Sequence, residues 1–251
     1  MSTIAVISDV HGNLEALDAV LARIDELGVD TIYSLGDVVG YGPDPEACFR
    51  KTEARCRLRL MGNHEYTVLH GSNPGFAFNA TAQKAIDWTR ERMRKADLLD
   101  RIIGLQSFHH EGDALFVHGS ARDTLNEYLR ETDHGGYSNF DEVVESLQED
   151  FTAFRICFVG HNHVPFLATT EGFLHPHEGL MEFQASKEEK IYVSVGSVGQ
   201  PRDRDPRACF VTFDASKVIY HRVPYPFAIT AEKIRSCGLP LSLADRIAAG
   251  R

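Results

Sequence analysis

The stretch Ile4-Ala5-Val6-Ile7-Ser8-Asp9-Val10-His11-Gly12-Asn13 decides the fold. Its short apolar run, closed by polar residues and glycine, predicts a buried strand. Asn13 then offers a helix N-cap, and Leu14, Leu17, Leu21, Ile24 and Leu27 recur at helical spacing until Gly28 ends the helix. Thr31 to Leu35 predicts a second strand, Pro45 to Glu53 a helix, and Arg57 to Met61 a third strand. Strands alternating with helices pair in parallel, with the helices on the sheet faces.

Outward from this unit, residues 79–105 read as helical, with Ala82, Ala85, Ile86, Thr89 and Met93 on one face. Asp113 to His118 is strand-like, Asp141 to Phe154 a helix with Val143, Val144, Leu147 and Phe151 as its stripe, and Ile156 to Gly160 a strand. The last hundred residues change style. Short strands at Pro165–Thr170, Leu180–Phe183, Ile191–Val195, Cys209–Phe213 and Val218–Val223 precede two helical segments near 231–235 and 243–249. Without a repeat or a linker, residues 1–251 read as one α/β domain of two packed sheets flanked by helices.

A hydrophobic fraction of 43% with 25% charged residues excludes wholesale disorder, and the length excludes a small disulfide scaffold. The formal charge of -10 argues against an extended nucleic-acid-binding face, Arg202, Arg204 and Arg207 being the densest basic candidate. No apolar run reaches membrane-spanning length, and the N-terminal residues lack a signal peptide's pattern. Five cysteines without C-x-x-C spacing fit reduced thiols and a cytoplasmic location.

The chemistry gathers at strand ends, where open α/β sheets bind ligands. The first strand runs into Asp9-Val10-His11, the second into Gly36-Asp37, the third into Gly62-Asn63-His64-Glu65. Later strands end at His118-Gly119 and Gly160-His161-Asn162-His163. On extended backbone, Asp-x-His and His-x-His would aim both side chains to one side. Oxygen and imidazole donors without thiolate suit Mn, Fe, Zn, Ni or Co, and two ions about 3.5–4 Å apart need a shared ligand such as a carboxylate.

Together these motifs resemble the calcineurin-like metallophosphoesterases, over roughly residues 3 to 200. The loops Gly36-Asp37-Val38-Val39-Gly40-Tyr41-Gly42-Pro43 and Gly196-Ser197-Val198-Gly199-Gln200-Pro201-Arg202 resemble its small prokaryotic members. The resemblance implies a four-layer sandwich of two mixed sheets with helices outside. It implies two divalent metal ions: Asp9, His11 and His163 on one, Asn63, His118 and His161 on the other, Asp37 bridging. A metal-bound hydroxide would attack phosphorus, Asn63 would contact the phosphoryl oxygens, and His64 would protonate or polarise the leaving oxygen. The substrate implied is a small-molecule or nucleotide phosphomonoester or phosphodiester. A nuclease, a phosphoprotein phosphatase or a non-catalytic scaffold on the same core are the alternatives, the scaffold disfavoured because the seven ligands and His64 are all present.

Other residues divide between functional and structural readings. Glu65 stands where many relatives have Asp, and would orient His64 or hold it as a spectator. Arg202 could meet a phosphate, or be one solvated arginine among Asp203, Arg204 and Asp205. Asn13 has its cap role, Tyr41 could line the pocket, and His175-Pro176-His177-Glu178 looks like a surface loop rather than a second metal site. His109 and His110 suit an edge strand. The site's two aspartates stand against four positive charges of two divalent ions, so an acidic protein can still carry an anion-attracting pocket. Nothing in the sequence fixes an oligomeric state.

Overall fold

The computed structural model describes residues 3–131, 139, 142, 145, 154–176, 181–184 and 190–251. Two mixed six-stranded sheets pack face to face. The first is built on β1 (Ile4–Ile7), flanked in parallel by β2 (Thr31–Ser34) and then β3 (Leu58–Arg59). On its other side β11 (Ala208–Phe213), β12 (Lys217–Val223) and β9 (Glu182–Gln184) follow antiparallel. The second sheet runs β4 (Phe108–Glu111), β5 (Ala114–Val117), β6 (Ile156–Val159), β10 (Ile191–Val195), β7 (Pro165–Thr169), β8 (Gly172–Leu174), with β5, β6 and β10 parallel.

Alternation divides each strand between two cores. Ile4 and Val6 enter the inter-sheet core with Phe158, Val193 and Val211, while Ala5 and Ile7 face the helices. Those helices are α1 (Leu14–Glu26), α2 (Pro45–Arg55), α3 (Asn63–His70), α4 (Ala80–Lys95), α5 (Leu99–Ile102), α6 (Phe227–Ser236) and α7 (Ser242–Ala249). Asn13 caps α1, its Oδ1 accepting from Ala16 N at 3.2 Å, and Leu17, Val20, Leu21 and Ile24 are buried one turn apart. Each such side chain, fully buried, stabilises the layer by about 1.5–3 kcal/mol. The outer face of the second sheet carries Val117, Cys157, Val159, Phe166 and Tyr192. The helix expected over 141–154 lies largely outside the described residues.

The single helix expected over 79–105 is two, because the chain turns at Asp97 with φ +55 between α4 and α5. Helix α3 was not anticipated: its eight residues hold Asn, His, Tyr and Thr, all modest helix formers. Its start at Asn63 places Asn63 and His64 in a first helical turn rather than in a loop. The five cysteines are free thiols. Among the described residues no helix is long and apolar enough to cross a membrane.

Candidate metal centre

Parallel strands from both sheets end at one edge, and the loops leaving them are stitched together. Asp9 N donates to Gly36 O at 3.1 Å, His11 N to Asp37 O at 2.9 Å, and Gly199 N to Asp9 O at 2.9 Å. His161 N donates to Asp9 Oδ2 at 3.0 Å, joining the second sheet to the first. The turns are tight: Asp9, His11, Asp37, Tyr41, His161 and His163 all have φ between +48° and +60°. Non-glycine residues adopt that region at a cost of about 1–2 kcal/mol each, and such strain collects at functional sites. The Asp-x-His and His-x-His pairs therefore converge through left-handed turns, not through the side-to-side alternation expected of an extended segment.

Three donor groups result, all buried: Asp9, His11 and His163; His11, Asp37 and His64; Asp37, His118 and His161. In the first, Nδ1 of His11 donates to Val39 O at 3.1 Å and Nδ1 of His163 to Gln200 O at 2.6 Å. A carbonyl only accepts, so each ring carries its proton on Nδ1 and a lone pair on Nε2. Those two Nε2 atoms face each other at 3.1 Å. Asp9 Oδ1 lies 3.2 Å from His163 Nε2 and 3.7 Å from His11 Nε2, and it is buried with no hydrogen-bond donor. Converging lone pairs and an orphaned carboxylate oxygen repel one another unless a cation lies between them. The donor set fits a divalent metal ion.

Asp37 Oδ2 sits between the groups, 3.3 Å from His118 Nε2, 3.7 Å from His11 Nε2 and 4.0 Å from His64 Nε2. Asn63 Oδ1 lies 3.2 Å from His118 Nε2, whose Nδ1 donates to Leu35 O at 3.1 Å. His161 is held the other way round, Nε2 donating to Asn126 O at 3.1 Å and leaving Nδ1 as its free donor atom. Tyr128 stacks on its ring at 3.7 Å.

Burial pushes His11 and His161 well below the usual imidazole range, lowers His163, and pushes His64 down to about 4 against the pull of Asp37. His118 is the exception. Burial would lower it, but the Asp37 carboxylate facing its Nε2 raises it to about 9. Against burial, His118 and then His64 hold Asp37 well below the carboxylate range.

Glu65 does not touch His64. As the third residue of α3 it turns back, accepting from Gly62 N at 2.9 Å, Asp37 N at 2.7 Å and Val39 N at 3.0 Å. It fixes the Asp37 loop instead of orienting the histidine. His64 is set by packing, its ring 4.5 Å from Tyr41, 4.7 Å from His11 and 5.0 Å from Phe78. Its Nδ1 is buried without a partner against the α-carbon of Gly40, at φ +88. Any Cβ at Gly40 would fall on that nitrogen.

Asn13 is committed to structure: its Nδ2 donates to Gly199 O at 2.8 Å and to the Tyr225 hydroxyl at 3.1 Å. Tyr41 does line the cavity. His175 pairs with Glu131 at 3.1 Å, and His177 lies outside the described residues. His109 and His110 lie on strand β4, at the edge of its sheet. The basic run is split up: Arg207 pairs with Asp205 at 2.6 Å and Arg222 with Asp203, while Arg202 lines the cavity. Arg202 is half-buried at that cavity, and its acidic neighbours are paired with other arginines. Sequence reasoning missed Arg246, Tyr128 and Phe76, which line the same cavity. Arg246 sits among the polar residues of a short amphipathic helix, with no local signal to mark it.

Two mixed sheets are sandwiched face to face, with buried Asp and His donors able to hold a metal ion where their parallel strands end. The sequence model of the calcineurin-like phosphoesterases matches residues 2–165, and the chain belongs to that family. An uncharacterized protein from Methanocaldococcus jannaschii is 36% identical, covering 100% of this chain and 99% of its own. The crystal structure of a metallophosphoesterase from Sphaerobacter thermophilus is also 36% identical, with TM-score 0.82 over 100% of this chain and 99% of that one. A hypothetical protein from Pyrococcus horikoshii shares the fold, with TM-score 0.75 at 19% identity and coverage of 100% and 99%.

Proposed function

We propose that the protein is a dinuclear-metal phosphoesterase that hydrolyses phosphomonoesters or phosphodiesters of small molecules or nucleotides. The observation that carries this reading is Asp37 Oδ2, the carboxylate oxygen placed between His118 Nε2 on one side and His11 Nε2 on the other, a member of two of the three donor groups. Asp9, His11 and His163 would hold one ion, Asn63, His118 and His161 the other, with Asp37 between them. Bound there, the ions would supply positive charge for phosphoryl oxygens and a water acidified toward neutral pH.

The chain's own groups do the rest. Three backbone carbonyls fix a proton on Nδ1 of His11, His118 and His163, so each ring turns Nε2 inward, as a lone pair on His11 and His163 and as one on His118 once its second proton has left. Asn63 Nδ2 is left to donate to a phosphoryl oxygen once its Oδ1 is engaged. His64, pushed down to about 4 by burial, works as a neutral imidazole. With Nδ1 walled off by Gly40, its Nε2 is the nitrogen that can face substrate, donating a hydrogen bond to the leaving oxygen. Tyr41, Phe76 and Phe78 wall the cavity and restrict water around that bond.

Turnover of p-nitrophenyl phosphate and bis-p-nitrophenyl phosphate by Mn²⁺-loaded protein tests the reading. Hydrolysis of either, abolished by chelator and restored by metal, is expected. Inactivity with Mn, Fe, Zn, Ni and Co alike would favour a non-catalytic scaffold.

A further inference from the structure

The cavity over the metal centre, about 190 Å³, opens beside a larger groove of about 560 Å³. Tyr128, Arg202 and Arg246 line both, so they form the wall that a substrate reaching from one to the other must pass. The two guanidiniums lie beside one ring, each 5.9 Å from the centroid of Tyr41. Among the described residues neither pairs with an Asp or Glu side chain, because Asp203 is taken by Arg222 and Asp205 by Arg207. Arg202 Nη2 donates to Gln200 Oε1 at 2.9 Å, but its Nε is buried with no acceptor. Arg246 Nε donates to the backbone oxygen of Arg251 at 3.1 Å. Burial, and then the charge of Arg202, lowers the affinity of Arg246 for its own proton.

Two like charges beside one ring, with no Asp or Glu paired to either among the described residues, favour an anion there even in a chain of net charge -10. The groove beyond them has a different character. Phe166 and Phe173 meet edge to face at 5.0 Å, and Asn162 and His175 add polar edges. In order along the surface come the metal centre, the arginine pair, and an aromatic groove with hydrogen-bonding groups.

We propose that Arg202 and Arg246 clamp a second phosphoryl group next to the scissile one, and that the groove takes an aromatic heterocycle. The substrate class is then a nucleoside di- or triphosphate cleaved at its terminal phosphoryl group. A water oxygen bonds to the terminal phosphorus, and the bond from that phosphorus to the bridging oxygen breaks. The electron pair stays on the clamped phosphoryl group, whose added charge the guanidiniums offset. Water's protons pass to the two products, inorganic phosphate and the nucleotide one phosphate shorter. This assignment rests on the phosphoesterase reading of the adjoining cavity.

The test is calorimetric titration of Mn²⁺-loaded protein with α,β-methylene-ADP, which resists hydrolysis, and with AMP. The diphosphate analogue is expected to bind at least tenfold more tightly than AMP. In R246Q and in R202Q the ratio is expected to fall to about twofold, with R246K intermediate because it keeps the charge but not the fork. Thermal denaturation of each variant establishes that it is folded, and the Lys variant keeps the test meaningful if a Gln variant is not. Equal affinity for the two ligands in the wild type, or an unchanged ratio in both R246Q and R202Q, would overturn the clamp. Turnover of p-nitrophenyl phosphate without a diphosphate preference overturns this inference alone. Absence of turnover on every simple ester and of analogue binding overturns the phosphoesterase reading with it.

Discussion

Substituting Gly40 by alanine probes the setting of His64 more sharply than substituting the histidine itself. At φ +88 an alanine costs about 1–2 kcal/mol in backbone strain. Its methyl would also fall on His64 Nδ1, and that ring has no slack between Tyr41, His11 and Phe78. Overpacking of this kind adds about 1–3 kcal/mol. The expected loss is therefore about 2–5 kcal/mol in urea unfolding, the larger share from displacing the imidazole. Because His64 is not among the proposed ligands of either ion, Gly40→Ala should keep the wild-type metal content. Its kcat should fall about 10²–10⁴-fold, as for His64→Ala, if the ring acts on the leaving oxygen. The double variant gives the decisive comparison. Once His64→Ala has removed the ring, the new methyl has nothing to strike, so Gly40→Ala should add only its backbone strain to stability and little further loss of kcat. Coupling energies for residues in contact run about 0.5–3 kcal/mol. Additive effects on both kcat and stability, or a Gly40→Ala protein with wild-type turnover, would refute the placement and role given to His64.

Three further outcomes are expected. Asp37→Asn should leave the protein unable to retain two ions through gel filtration, since an amide nitrogen would face His118 Nε2; two retained ions by elemental analysis would contradict the bridging role. Titrating Mn²⁺ into metal-free protein at pH 7.5, in two buffers of different ionisation enthalpy, should release at least about one proton per chain from the protein's own groups, beyond any from metal-bound water. That proton comes from His118, raised to about 9 by Asp37, whereas His11, His161 and His163 are already neutral; zero release would contradict the assignment. Away from the site, His221 is stacked on Phe210 at 4.6 Å and burial pushes it down to about 4. Between pH 6.5 and 4 the unfolded chain takes up the proton and the folded one does not, so this contribution is present above pH 6.5 and lost as pH falls. His221→Gln should therefore narrow the Tm difference between pH 7 and pH 4.5, and an unchanged difference would refute it.

The sequence was most legible where local pattern and global packing agree. Ile4–Ile7 is apolar because both faces of β1 are covered, and the stripe of α1 points at Ala5 and Ile7. The clustering of Asp and His at strand ends was legible because parallel strands deliver their ends to one edge. How they converge was not. Left-handed turns at Asp9, His11, His161 and His163 leave no compositional mark, since the usual residue there would be glycine. Glu65 was misplaced because its partners, Asp37 N and Val39 N, are distant in sequence, and a short helix brings it to them. Arg246 was invisible for a similar reason. Its meaning depends on Arg202 lying beside the same Tyr41 ring, and on Asp203 and Asp205 being occupied elsewhere.

Anomalous diffraction from crystals grown with Mn²⁺ would locate the ions that Asp37 is proposed to bridge. Two peaks about 3.5–4 Å apart are expected, one against Asp9, His11 and His163, the other against Asn63, His118 and His161, with an Asp37 oxygen touching both. A single peak, or two peaks without Asp37 between them, would contradict the bridge.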